Sequence, residues 1–145
     1  MPGPQVDFLV LAAADPRERL RTACRSIEEI YDEGLKVTVR VDTPDEAAAL
    51  DDLLWTFNER SFIPHSQWPN EKDTEEHAAV LIASAALPAT HRDALVNLAA
   101  TVPPEFSSYG RLVEIVGGDE TCKQAGRVRW RAYREAGLEP QSRNV

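Results

Sequence analysis

Hydrophobic and polar positions along this chain switch between a period near two and a period near 3.6. Asp7-Phe8-Leu9-Val10-Leu11 is a short apolar run suited to a buried strand. Asp15-Pro16-Arg17-Glu18 follows with an N-cap, a proline at the first helical position and an acid in the first turn, and predicts a helix to about Tyr31, stopped at Gly34. Val37-Thr38-Val39-Arg40-Val41 is β-branched and alternating, and Thr43-Pro44-Asp45-Glu46 repeats the punctuation for a second helix through about Phe57. Leu50, Leu53, Leu54 and Phe57 form its core stripe, and Trp55 points roughly 100° or more away from the centre of that stripe. Strand, helix, strand, helix implies right-handed crossovers and a parallel sheet.

A charged loop rich in turn formers is predicted from His65 to His77, and Ala79-Val80-Leu81-Ile82-Ala83 reads as another buried strand. Ala94-Leu95-Val96-Asn97-Leu98 fits either strand or helix; Pro103 and Pro104 leave little room for a helix, so a strand is expected. Pro104 to about Val116 is predicted as a helix ended by Gly117-Gly118, and one more helix closes the chain. With no repeat, low-complexity stretch or linker, residues 1–145 are expected to form a single domain. Its predicted class is α/β, a three-layer fold with a mostly parallel sheet and nucleotide-binding-like topology.

The last helix changes this picture by its charge. Lys123, Arg127, Arg129, Arg131 and Arg134 lie in it with no acid between them, in a protein of net charge -8. At roughly 100° per residue, Lys123, Arg127, Trp130, Arg131 and Arg134 share about a third of the circumference, and Arg129 lies off that stripe. Ala125, Val128 and Ala132, flanked by Tyr133 and Ala136, form the expected apolar face. Asp119, Glu120 and Thr121 supply capping oxygens at its start, Gly137 can take the left-handed position after its end, and Pro140 blocks continuation. A solvated face is the plain alternative, but a face of one sign with a tryptophan on it is what an acidic ligand would need. The acidic remainder repels phosphate backbones, so a short acidic peptide fits better than a duplex. A second candidate surface gathers Trp55, Phe62-Ile63-Pro64 and Trp68-Pro69, aromatics and prolines outside the core pattern, of the kind that anchor protein interfaces. The alternative there is a loop packed back over Trp55.

Catalytic chemistry is not visible. The first strand-to-helix turn reads Ala12-Ala13-Ala14-Asp15-Pro16, and neither GxGxxG nor GxxxxGK[ST] occurs, so no phosphate loop and no nucleotide are expected. There is no GxSxG, which leaves Ser61 and Ser84 without a nucleophile's setting. His65, His77 and His91 are far apart, and the acids near His77 (Asp73, Glu75, Glu76) read as a solvated loop. Cys24 and Cys122 each sit alone in a predicted helix and are expected to be reduced thiols. No metal, cofactor or catalytic residue is therefore expected. The start Met-Pro-Gly-Pro-Gln lacks a signal-peptide pattern, and the apolar runs Phe8–Ala14 and Ala78–Leu87 are far shorter than the ~20 residues of a membrane span; a cytoplasmic location is expected.

Two segments resemble the chi subunit family of bacterial DNA polymerase III: Leu50-Asp51-Asp52-Leu53-Leu54-Trp55 through Ser61-Phe62-Ile63-Pro64-His65, and Lys123-Gln124 through Arg131-Ala132-Tyr133-Arg134-Glu135-Ala136-Gly137. Length and element order are also similar. The resemblance implies a noncatalytic accessory protein that joins the psi subunit of the clamp loader to single-stranded-DNA-binding protein (SSB) during replication. It implies that Trp55, Phe62, Ile63 and Pro64 form the psi-binding face. It further implies that Lys123, Arg127, Trp130 and Arg131, with Arg134 on the same stripe, receive the acidic C-terminal tail of SSB. Members of the family commonly carry tyrosine and lysine at the third and fourth of these positions, and Trp130 and Arg131 keep the aromatic and basic character. Two other classes remain as alternatives: direct binding of single-stranded nucleic acid through Trp130 and the arginines, and a nucleotide-dependent enzyme of α/β fold.

Overall fold

The computed structural model describes residues 3–58, 62–69 and 78–145. Strand β1 (Gln5–Val10) leads to α1 (Pro16–Asp32), β2 (Val37–Arg40) and α2 (Pro44–Thr56). The predicted punctuation operates as read. Asp15 Oδ1 accepts from the Arg17 amide at 2.9 Å and Thr43 Oγ1 from the Glu46 amide at 3.1 Å. Gly34, at φ 82°, releases the chain from α1 through the left-handed region that glycine enters without strain.

Beyond α2 come β3 (His65–Trp68), β4 (Val80–Ala83), β5 (Ala94–Asn97), a 3-10 turn at Phe106–Ser108, β6 (Arg111–Val116), α3 (Glu120–Glu135) and β7 (Gln141–Asn144). The strands form one seven-stranded sheet of order β3-β4-β2-β5-β6-β1-β7, and every pairing in it is parallel. Side chains alternate across this sheet into two cores. Leu9, Val39, Ile82, Val96 and Ile115 meet the apolar sides of α1 and α2, while Val6, Phe8, Leu95, Leu112 and Val116 meet Tyr133 of α3. The result is the expected α/β fold, with helices on both faces.

Three elements differ from the sequence reading. The helix expected from Pro104 to Val116 is instead the short turn and β6, a central strand between β5 and β1. Leu112-Val113-Glu114-Ile115-Val116 is buried along its whole length, so it reads as an apolar run with one acid rather than as an amphipathic helix. Part of the expected loop after His65 is the edge strand β3, paired with β4; the acidic stretch Glu71–Glu76 and His77 lie outside the described residues. The all-polar strand β7 had no periodic signal, and it is held by pairing with β1.

The chain leaves β1 toward α1 on one face and β6 toward α3 on the other, which makes the crevice between these neighbouring strands the usual ligand position of such sheets. Here the two loops knit together. The Gly118 amide donates to the Ala13 carbonyl at 3.0 Å, and a Cβ on Gly118 would lie 2.5 Å from the Ala12 and Ala13 oxygens.

Candidate peptide-binding groove

Helix α3 is fixed to the sheet by a buried polar cluster. Glu114, on the α3 side of β6, accepts from Arg129 Nε at 2.8 Å, from the Tyr133 hydroxyl at 2.5 Å and from Asn97 Nδ2 at 2.9 and 3.1 Å. Arg129 Nη1 also donates to the Ala100 carbonyl at 2.9 Å. Burial pushes the Glu114 carboxyl up, opposed by the Arg129 charge and the Tyr133 and Asn97 hydrogen bonds. Burial and the Glu114 charge raise the Tyr133 phenol as well, so the hydroxyl stays protonated and donates. The inward face of α3 is therefore Gly126, Arg129 and Tyr133. Val128, expected on the apolar face, is 61% exposed, and Arg129, expected only to lie off the basic stripe, is 3% exposed. Val128 points away because the cluster and the close approach at Gly126 set the helix rotation.

That rotation places the tryptophan. Phe8 of β1 meets Trp130 edge-on with ring centroids 5.1 Å apart, and it meets Tyr133 on its other flank at 5.9 Å. Beside Trp130 opens a groove of about 360 Å³. Phe8, Val10 and Val116 give it an apolar floor, Gly126 leaves the helix side open, and Ser142 of β7 closes the far edge. Lys123 and Arg127 stand on the rim. A Cβ at Gly126 would come within 3.2 Å of Val116 Cγ1, so the glycine is what lets α3 sit this close. Arg127 Nη1 lies 3.4 Å from Glu120 Oε1, but both side chains are well exposed and the guanidinium remains accessible.

Of the expected tail-binding residues, Lys123, Arg127 and Trp130 thus share one groove. Arg134 lies across Trp130 in a second depression, and exposed Arg131 lines neither. The floor residues were not found from sequence because they come from β1, β6 and β7, strands distant in the chain. One signal was available: a glycine in mid-helix costs about 1 kcal/mol relative to alanine, and Gly126 marks a close approach.

The second surface lies at the other edge of the sheet. Trp55, 51% exposed, and Phe62, 65% exposed, stack with centroids 5.4 Å apart. Trp55 rests on the buried His65 ring at 4.4 Å. The His65 ring nitrogens lie 2.7 Å from the Ile63 carbonyl and 3.0 Å from the Asp51 carbonyl, which ties the segment before β3 to α2. Ile63 itself is 1% exposed and belongs to the core, so it supports the patch from below, while Pro64 is half-buried. Among the described residues, the segment before β3 brings Phe62 beside Trp55 and leaves both rings exposed.

Compared with known proteins, the sequence matches the family described as DNA polymerase III chi subunit, HolC, over residues 3–141. The chain belongs to the DNA polymerase III chi family. It is 36% identical over 141 residues to the DNA polymerase III subunit chi of Pseudomonas aeruginosa, covering 97% of this chain and 96% of that one. The Escherichia coli subunit chi is 28% identical over 129 residues, covering 79% and 78%. That of Haemophilus influenzae is 25% identical over 129 residues, covering 85% of each. Membership in the chi family supports an accessory role in DNA replication by DNA polymerase III. In this chi-family chain, no cluster of three or more His, Cys, Asp and Glu among the described residues is arranged to hold a metal ion. No helix among them is long and apolar enough to cross a membrane.

Proposed function

We propose that the chain is a noncatalytic bridge that joins the psi subunit of the clamp loader to SSB by binding the acidic C-terminal tail of SSB. The observation that carries this reading is the groove beside Trp130, an apolar floor with Lys123 and Arg127 on its rim. A tail ending in aspartates, proline, phenylalanine and a free carboxylate has the matching parts. Its ring packs against Trp130 and Phe8, and its carboxylates pair with the cations. Burying one ring contributes about 1.5–3 kcal/mol, and each exposed ion pair about 0.2–1 kcal/mol. Salt-sensitive binding weaker than micromolar is the natural outcome, which suits a contact made and broken repeatedly. Arg131 and Arg134 add to the field that draws the tail in.

The psi-binding face is assigned to Trp55, Phe62 and Pro64, with buried Ile63 as their support. Strand order favours a bridge. The Trp55 patch flanks β3 and the groove lies over β1 and β7, so roughly five strand spacings of about 4.8 Å separate them. That spacing favours simultaneous binding of two partners. Co-elution of psi, this chain and SSB on a sizing column tests the bridge. Trp55→Ala with Phe62→Ala is expected to release psi alone, and Lys123→Ala with Arg127→Ala to release SSB alone. Loss of neither partner from either variant contradicts the assignment.

A further inference from the structure

We infer that His65 is a proton-controlled positioning residue for the Trp55–Phe62 face: with both ring nitrogens protonated it holds the Ile63 and Asp51 carbonyls at once and sets the two rings side by side, and with one proton it holds only one of them. The consequence for partner binding rests on the psi reading above; the clasp itself is a property of the chain alone.

The imidazole sits where α2 meets the segment entering β3. Its Nδ1 lies 2.7 Å from the Ile63 carbonyl and its Nε2 lies 3.0 Å from the Asp51 carbonyl. A carbonyl oxygen can only accept, and a neutral imidazole has a single N–H to give. Both contacts are therefore hydrogen bonds only in the doubly protonated ring. In the neutral ring one nitrogen turns its lone pair on a carbonyl that is left without this donor. The His65 side chain is 0% exposed, so water does not stand in for the missing contact.

Holding a cation out of water is costly unless it is both paired and hydrogen-bonded. Here Asp51 Oδ1 lies 3.3 Å from Nε2, and the Trp55 ring covers the imidazole with centroids 4.4 Å apart, within cation–π range. Burial raises the Asp51 carboxyl above its ordinary value, the His65 charge opposes that, and Asp52 adds to the rise. Among the described residues, Asp51 is the charged side chain that touches the ring. Strand β4, paired with β3, brings only Val80-Leu81-Ile82-Ala83 to it.

The two anchors matter because of where they sit. Ile63 directly follows Phe62, and Asp51 lies about one helical turn before Trp55. A clasp through both fixes the stacking of Trp55 and Phe62 at 5.4 Å. Release of either carbonyl lets the segment before β3 shift against α2, and the face loses its preset shape. A preorganised face binds more tightly than one that is ordered on contact. Partner capture therefore falls as pH rises through the range in which an imidazole gives up a proton.

Nuclear magnetic resonance of the isotope-labelled full chain, without partner, from about pH 5.5 to about pH 8.5 tests the clasp. The Trp55 indole N–H signal is expected to move with the same midpoint as the His65 ring nitrogens, while the Trp130 signal does not follow that midpoint. In His65→Gln, whose side chain donates but does not titrate, the Trp55 signal should stay level. Calorimetry with psi over the same range should show wild-type affinity falling about three- to tenfold, the scale of one hydrogen bond, and a ratio near one for His65→Gln. A wild-type Trp55 signal that ignores the His65 midpoint overturns the clasp without any variant having to fold, as does a Trp55 titration that persists in His65→Gln. Coupled titration with a psi affinity that is level in pH overturns the positioning role. Failure of psi to bind the wild type at any pH removes the psi reading instead, and the resonance measurement still decides the clasp.

Discussion

Arg129 and Glu114 form an ion pair at 2.8 Å with side chains only 4% and 0% exposed, and through it the helix that carries the exposed cations Arg127, Arg131 and Arg134 is locked to the centre of the sheet. Removing one partner leaves a buried charge. Arg129→Met is expected to cost about 3–5 kcal/mol in chemical denaturation, and Arg129→Met with Glu114→Gln should recover part of that loss. Recovery is the informative result, because a simple packing defect would grow with the second substitution.

The Phe8 contact makes Trp130 a rigid wall. Trp130→Ala is expected to weaken tail-peptide binding by about tenfold or more, the scale of an aromatic anchor, while Trp130→Tyr keeps most of the affinity. Peptide calorimetry on both variants reads this directly.

Gly126→Val tests the close approach from the other side. A branched side chain built where a Cβ already comes within 3.2–3.3 Å of the two Val116 methyls overfills the site. The expected cost is about 1–3 kcal/mol, accompanied by loss of peptide affinity as α3 is pushed from β6. A variant of unchanged stability and affinity would show that the groove does not depend on this contact.

At the other edge, Trp55→Ala and Phe62→Ala remove large exposed rings. Stability should change by no more than about 0.5 kcal/mol each, with psi co-purification lost. The separation of the two readouts marks an interface rather than a core.

Burial pushes the Cys24 thiol up from 9.0 to about 12. In the native state it binds its proton more tightly than in the unfolded chain, so its contribution to stability is complete below about pH 9 and is lost as pH rises toward 12. Urea denaturation at several pH values across this window should show a steeper decline for wild type than for Cys24→Ala. In the native protein Cys122, which is partly exposed, should react with iodoacetamide before Cys24.

Much of this fold is written locally. Asp15-Pro16, Thr43-Pro44 and Asp119 start the helices, with Asp119 accepting from the Cys122 amide at 3.3 Å, and Gly34 and Gly137 follow the ends of α1 and α3 with positive φ. What was not legible depends on distant partners. Glu114 looks like a polar position in a helix until Asn97, Arg129 and Tyr133 surround it, and none of these is near it in sequence. Strand β7 is entirely polar because it pairs at an exposed edge, so it carries no pattern of burial. The same holds at the candidate site. Its cations could be read from helical spacing, but the floor exists only because the strand order sets β1 and β6 side by side beneath α3, with β7 at the edge.

Calorimetric titration of the SSB C-terminal tail peptide into wild-type protein and into Lys123→Ala with Arg127→Ala tests the peptide-binding groove most directly. Wild-type binding with a dissociation constant of about ten micromolar or weaker, weakened at least about tenfold in the variant and also by added salt, is the predicted result. Equal binding by the two proteins would place the tail elsewhere on the chain.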